Sequence, residues 1–181
     1  MDIIRNSIAA QAGKISIVIS ADVNADELVI EVADNGTGMD EEQLGQVVSP
    51  FTTSRTTRKV GLGIPLFEAS ARRAQGYLTI ESARGAGTDL KAHFKISHID
   101  RPPLGDVAET IRNIVMSEPQ VDIELVLKKE KTGCVRFDTQ EVRQQLGEVP
   151  INRYEVLDWI RDYVEESIKT VFGGVLNEID R

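Results

Sequence analysis

Three short stretches carry residue types able to bind a small anionic molecule. The first is DNGTGM, Asp34 to Met39, placed directly after an apolar, strand-like run. An ionised Asp offers only hydrogen-bond acceptors, so Asp34 can read an exocyclic amine such as that of adenine. Gly36 and Gly38 let a backbone approach a planar ring closely. The same residues also make an ordinary hairpin turn. The second stretch is VGLGIPL, where Gly61 and Gly63 flank Leu62 just before a helical pattern. Free N–H groups and the positive end of the helix dipole point outward there, which suits an anion. Arg58 and Lys59 stand just before it and add direct charge for phosphate oxygens. A flexible glycine loop with solvated charges has the same composition. Neither a Walker loop nor a dinucleotide fingerprint is present. The third stretch is DIIRNSIAA, in which Asp2 and Asn6 lie one turn apart on one helix face. A carboxylate and an amide oxygen so placed can orient a water and complete a Mg²⁺ shell beside a triphosphate. Polar residues recur at that spacing on most exposed helix faces.

These residues need elements to position them. Ile3, Ile4, Ser7, Ile8 and Ala12 predict a helix from Asp2 to Gly13, with Gly13 as its stop. Alternation of Ile15, Ile17 and Ile19, and of Leu28, Ile30 and Val32, predicts two strands joined by ADVNAD. A short helix in DEEQLGQVV, a loop and a helix over Ile64–Arg73 follow. The strands YLTIES and TDLKAHFKIS come next, separated by the glycine turn ARGAG. HIDRPPLGD reads as a boundary, because paired prolines stop helix and ladder alike. Beyond it stand a helix from Val107, a hairpin of VDIELVL and CVRFD, and a helix carrying Leu157, Ile160, Val164, Ile168 and Val171. Trp159 and Tyr163 beside that last stripe are expected to pack in the core. The order predicts an α+β layer, a mixed or antiparallel sheet with helices on one face.

Composition narrows the function. The chain has 181 residues and a formal net charge of −8. Residues 1–98 hold 10 basic and 12 acidic side chains, and residues 99–181 hold 11 and 17. No broad basic face exists, so nucleic-acid binding is not expected. The single cysteine, Cys134, excludes an internal disulfide and suits a reducing, cytoplasmic setting. No apolar run is long enough to cross a bilayer, and no membrane association is expected.

The motifs in this order resemble the GHKL ATPase superfamily, which comprises gyrases, a class of heat-shock chaperones, MutL-type repair proteins and histidine kinases. The resemblance covers about residues 1–98. It implies a Bergerat-type α/β sandwich that binds ATP and Mg²⁺. In its terms DIIRNSIAA is the N box, with Asn6 as the Mg²⁺ ligand and Asp2 at the catalytic position. Asp34, Gly36 and Gly38, with Met39 closing the motif, are the adenine-reading box. Pro50 and Phe51 are the F box, Gly61, Leu62 and Gly63 the second glycine box, and Gly87 and Thr88 the last motif. Thr52 to Val60 then resemble an ATP lid, with Arg58 and Lys59 reaching phosphates. The short lid is similar to histidine kinases, whereas RNSIAA is closer to the MutL type.

Departures from the pattern shape the functional expectation. Hydrolysing branches usually carry Glu where Asp2 stands, and Asp is one methylene shorter. The chain starts inside the N box, so a fragment or a shortened variant is expected. His93 and His98 lie on no helical hairpin, so any kinase activity acts in trans. The expected function is an ATP·Mg-binding module for phosphotransfer in trans or slow hydrolysis, with a non-hydrolysing ATP sensor as the alternative. Residues 99–181 match no motif; they either extend the nucleotide domain or form a smaller α/β region for a protein partner or a homodimer.

Overall fold

A computed structural model of the chain describes residues 1–48, 62–130 and 133–176. Helix α1 (Asp2–Ala9) leads into the antiparallel strands β1 (Lys14–Asp22) and β2 (Glu27–Asp34). Then come α2 (Glu41–Val48), α3 (Gly63–Arg73) and the hairpin of β3 (Tyr77–Ala83) with β4 (Gly87–Lys95). Helix α4 (Val107–Ser117) precedes β5 (Asp122–Lys129), β6 (Gly133–Asp138), α5 (Thr139–Leu146) and α6 (Tyr154–Phe172). The six strands among the described residues form one sheet in the order β3-β4-β2-β1-β5-β6. Only β1 and β5 run parallel; the other neighbours are antiparallel.

The period-two pattern explains why this sheet has one wet face. Ile15, Ile17, Ile19 and Ala21 of β1 are buried, while the residues between them are not. Register then continues one buried row across the sheet: Leu90, Val32, Ile17, Leu125 and Phe137 lie directly opposite one another from β4 to β6. A slip of one residue in any strand would turn its apolar set to water. The helices cover this face, with Ile4, Ala71, Ile111, Ile114, Leu157, Ile160 and Val164 in the same core. The opposite face carries polar side chains, including the ion pairs Lys14–Glu124 at 3.4 Å and Lys91–Glu31 at 3.5 Å. This is the α+β mixed sheet with helices on one face that the order of elements predicts.

Of the two readings of residues 99–181, the sheet agrees with the one in which they extend the nucleotide domain, because β5 pairs with β1 along its length. Other expectations need correction. Strand β4 ends at Lys95, ahead of Pro102 and Pro103, and the fold continues past those prolines. Just before them Arg101, only 2% exposed, donates to the carbonyls of Ile96 at 3.0 Å, Pro102 at 3.4 Å and Leu176 at 3.2 Å. Burial pushes its pKa below the usual guanidinium range. Helix α1 stops at Ala9 rather than Gly13, because Gln11 takes φ +60° and Ala12 donates back to the Ser7 carbonyl. That is a Schellman ending with Gln in the left-handed position. Helix α5 was not expected; Asp138 caps it by accepting from Gln140 N at 2.7 Å. Trp159 and Tyr163 are not core residues, being 50% and 37% exposed.

Arg101→Ala is expected to lower the unfolding free energy by about 2–4 kcal/mol, because three carbonyls lose their donor and a buried volume empties. Urea denaturation followed by circular dichroism measures this. A loss under about 0.5 kcal/mol would show that Arg101 does not hold the C-terminal segment to the sheet.

Candidate functional site

The end of β2 is built around the Asp34 carboxylate. Ser7 on α1, 3% exposed, donates its hydroxyl to Oδ2 at 2.6 Å. The Gly36 N–H donates to Oδ1 at 2.9 Å. Each oxygen therefore holds one donor and keeps further acceptor capacity. The loop that follows is no hairpin turn, since β2 pairs with β1 and β4 and the chain leaves towards α2. It is tied down almost residue by residue. Asn35 Oδ1 accepts from the N–H groups of Gly13 and Lys14 at 2.9 and 2.8 Å. Thr37 N donates to the Ala10 carbonyl at 2.8 Å, and the Thr37 carbonyl accepts from Gly85 N at 2.7 Å.

Glycine is required where backbones meet. A Cβ at Gly38, where φ is +64°, would lie 2.0 Å from the Ala83 carbonyl oxygen. One at Gly87, φ +81°, would lie 1.8 Å from the Asp34 carbonyl oxygen. Gly36 is buried, and a Cβ there would lie 2.7 Å from the carbonyl oxygen of Ala10, just past the end of α1.

These contacts enclose a cavity of about 260 Å³. Asn6 and Ser7 of α1, Asp34, Gly38, Met39 and Thr88 supply its polar and loop walls, while Ile3, Val32, Ile64 and Leu90 supply apolar ones. Thr88 stands directly opposite Asp34 in the β2–β4 register. Pockets for drug-sized ligands run from about 300 Å³ upward, so this one suits a heterocyclic base better than a whole nucleotide. Ser82 of β3 fixes its rim. Its hydroxyl accepts from Met39 N at 2.8 Å, donates to the Gly87 carbonyl at 2.9 Å and lies 3.0 Å from Thr88 Oγ1.

The structure brings together Asn6, Asp34, Gly38, Met39 and Thr88 of the expected residues. Asp2 lies at the start of α1 against the start of α3, where a Cβ on Gly63 would be 2.7 Å from the Asp2 Cβ. Both border an adjoining cavity of about 420 Å³ that shares Ile3 and Val32 with the first. Leu62 is 59% exposed, and among the described residues no side chain caps the α3 N-terminus, where Gly63 and Ile64 carry the first-turn N–H groups and Pro65 has none. Phe51, Arg58, Lys59 and Gly61 lie outside the described residues. Two residues escaped sequence reasoning. Ser7 was signalled only as the one hydroxyl in an apolar stripe; nothing in YLTIES marks Ser82.

Residues 1–98 match the family of histidine kinase-, DNA gyrase B- and HSP90-like ATPases. The chain belongs to that family. Its N-terminal part is thus a GHKL ATP-binding domain of the histidine-kinase-like kind. It is similar to sporulation kinase C of Bacillus subtilis, 35% identical over 88 residues that make up 49% of this chain and 20% of that protein. It is similar also to the sensor protein kinase FleS of Pseudomonas aeruginosa, 36% identical over 88 residues, 49% of this chain and 22% of that one. The chain spans less than a quarter of the length of the curated relatives it matches. Among solved structures it resembles the N-terminal domain of a DNA repair protein, with a TM-score of 0.52 at 14% identity. That likeness covers 96% of this chain and 56% of the other, so the shared fold continues past residue 98. No described helix is long and apolar enough to cross a membrane.

Ser82→Ala leaves the Met39 N–H, the Gly87 carbonyl and the Thr88 hydroxyl short of a partner. A stability loss of about 1–3 kcal/mol is expected, against about 1 kcal/mol for Ser7→Ala. Chemical denaturation of both variants checks this; a Ser82→Ala protein as stable as wild type would sink the clamp.

Proposed function

We propose that the chain binds ATP·Mg²⁺ in this cavity and passes the γ-phosphoryl group to water slowly or to an acceptor in trans. The observation that supports this is the convergence of Asn6, Asp34, Gly38, Met39 and Thr88 on one cavity from separate elements. Asp34 accepts from the exocyclic amine of adenine, and Ser7 and Gly36 hold its carboxylate in place for that contact. A purine with a carbonyl at that position would set oxygen against oxygen. Apolar walls exclude water from the base, and the triphosphate extends outward past Asn6 towards the α3 N-terminus. There the first-turn N–H groups of Gly63 and Ile64, at the positive end of α3, bind anionic oxygens. Arg58 and Lys59, with Gly61 and Phe51, complete the phosphate side in this reading.

The residues fit Mg²⁺ only as a companion of the nucleotide. Among the described residues no group of three or more His, Cys, Asp or Glu gathers to hold a metal ion. Mg²⁺ commonly takes one or two protein oxygens plus substrate phosphates, and Asn6, with Asp2 one turn away, would supply them. Bound there, the ion would neutralise phosphate charge. Asp2 in turn orients water. Its position on the adjoining cavity, beside Gly63 and away from the base, favours a second reading as a non-hydrolysing ATP sensor.

Calorimetric titration of Mg²⁺-ATP into wild type and Asp34→Asn tests the binding. An Asn has a single acceptor oxygen and turns an NH₂ towards donors, so affinity is expected to fall roughly 30- to 150-fold, about 2–3 kcal/mol. Equal binding by a folded Asp34→Asn protein would remove Asp34 from base recognition. Phosphate release from the same samples separates enzyme from sensor.

A further inference from the structure

Polar side chains form a short row at the rim of the cavity. Ser82 of β3, Thr88 of β4 and Asp34 of β2 stand directly opposite one another across three neighbouring strands. Side chains alternate along a strand, so Thr88 shares the helix-covered face with the buried Leu90. Thr88 and Asp34 line the cavity; Ser82 lies one strand further out and does not.

Proton counting sets the polarity of this row. A hydroxyl has one proton to give and two lone pairs. The Gly87 carbonyl, 2.9 Å from Ser82 Oγ, can only accept, so the Ser82 proton goes to it. The Met39 N–H, at 2.8 Å, can only donate, and it takes one Ser82 lone pair. The Thr88 hydroxyl, at 3.0 Å, takes the other as a donor. The reverse assignment, with Ser82 donating to Thr88, would set the Ser82 and Gly87 oxygens against each other with no proton between them. Thr88 thus gives its proton to Ser82 and turns only lone pairs to the cavity. Asp34 beside it, with Ser7 and the Gly36 N–H on its two oxygens, likewise offers only lone pairs.

We propose, on the nucleotide reading of this cavity, that Ser82 is a positioning residue for base selection: by holding the Thr88 proton it makes the wall beside Asp34 acceptor-only. Directly opposite residues keep their Cβ atoms about 4.5–5.5 Å apart, so both acceptors reach the two N–H bonds of one exocyclic amine. A carbonyl in the same place meets lone pairs from both sides. Without Ser82 the Thr88 hydroxyl is free to rotate and donate to that carbonyl. The choice between an amino and a carbonyl purine is therefore set in part by a residue that touches neither.

Calorimetric titration with the Mg²⁺ complexes of ATP, inosine triphosphate and purine riboside triphosphate tests this, on variants checked for folding by circular dichroism. Inosine carries a carbonyl where adenosine has its amine, and purine riboside carries only hydrogen. In Ser82→Ala the preference for ATP over inosine triphosphate is expected to fall about 10-fold. Ser82→Thr, which keeps the hydroxyl, is expected to retain the wild-type preference. A purely structural Ser82 would weaken both nucleotides alike, so an unchanged preference in a folded Ser82→Ala protein would overturn the inference. Thr88→Val keeps the side-chain shape and tests the same polarity where Ser82→Ala fails to fold. It is expected to weaken ATP about 10-fold and to leave purine riboside triphosphate, which has no amine, unchanged. Equal losses for those two would show Thr88 donating to a ring nitrogen, and would also overturn the inference while the nucleotide reading stands. A wild-type protein that binds none of the three removes the nucleotide reading itself, and the inference with it.

Discussion

Ser7 and Asp34 stand 27 positions apart and meet through one hydrogen bond of 2.6 Å, around which the nucleotide end of the molecule is arranged. A half-buried carboxylate is costly unless donors satisfy it. Ser7 and the Gly36 N–H do so from opposite sides, and in doing so they fasten the middle of α1 to the end of β2. The rest of the loop can only follow. Thr37 bonds to the end of α1, Gly85 bonds to Thr37, and the glycine at position 87 lets the β3–β4 turn lean directly on the Asp34 carbonyl. With both oxygens held by donors from the protein, the remaining lone pairs can do nothing except accept. That fixes the sign of the contact available to a ligand before any ligand arrives.

A different constraint operates at the other end of the cavity. The α3 N-terminus is positive, carries no acidic residue in its first turn, and has Asp2 of α1 pressed against its first residue. An anion beside a helix N-terminus gains about 0.3–1 kcal/mol, so the Asp2 carboxylate is comfortable there without a ligand. In the proposed complex a triphosphate would compete for the same field and meet a like charge. A divalent cation shared between Asn6, Asp2 and the phosphates relieves that conflict.

The sequence made the nucleotide half legible because its elements are marked by strong local signals. Alternating Ile15, Ile17 and Ile19, and the glycines on either side of them, can fold in few ways. What was not legible depended on tertiary context. That the Ala10 carbonyl lies closest to a Cβ at Gly36 follows only from the packing of α1. The paired prolines looked like a domain boundary, because proline forbids a ladder locally and says nothing about which strand pairs next. Trp159 and Tyr163 looked like core by residue type, but the helix turns Leu157, Ile160 and Val164 inward and leaves them out. Ser82 has no local signature, because its three partners come together only once the β3–β4 hairpin meets the loop after Asp34.

Family resemblance ends at residue 98, but the load on the cavity wall does not. Val32 and Leu90 line the cavity and belong to the buried row that runs through Ile17 and Leu125 to Phe137. Protein interiors are close-packed, so a row of this kind resists displacement at any one member. Tyr163 rests on Phe137 at one end of the row, and the cavity beside Asp34 lies towards the other. The C-terminal strands therefore do structural work for the ATP-binding half whatever partner they meet. β1 is the strand that makes this so: it pairs with β2, which ends at Asp34, on one side and with β5 on the other. A domain cut after residue 98 would leave Ile15, Ile17 and Ile19 without Ile123, Leu125 and Leu127 beside them, exposing the edge of β1 and unpacking the floor on which the Asp34 loop stands.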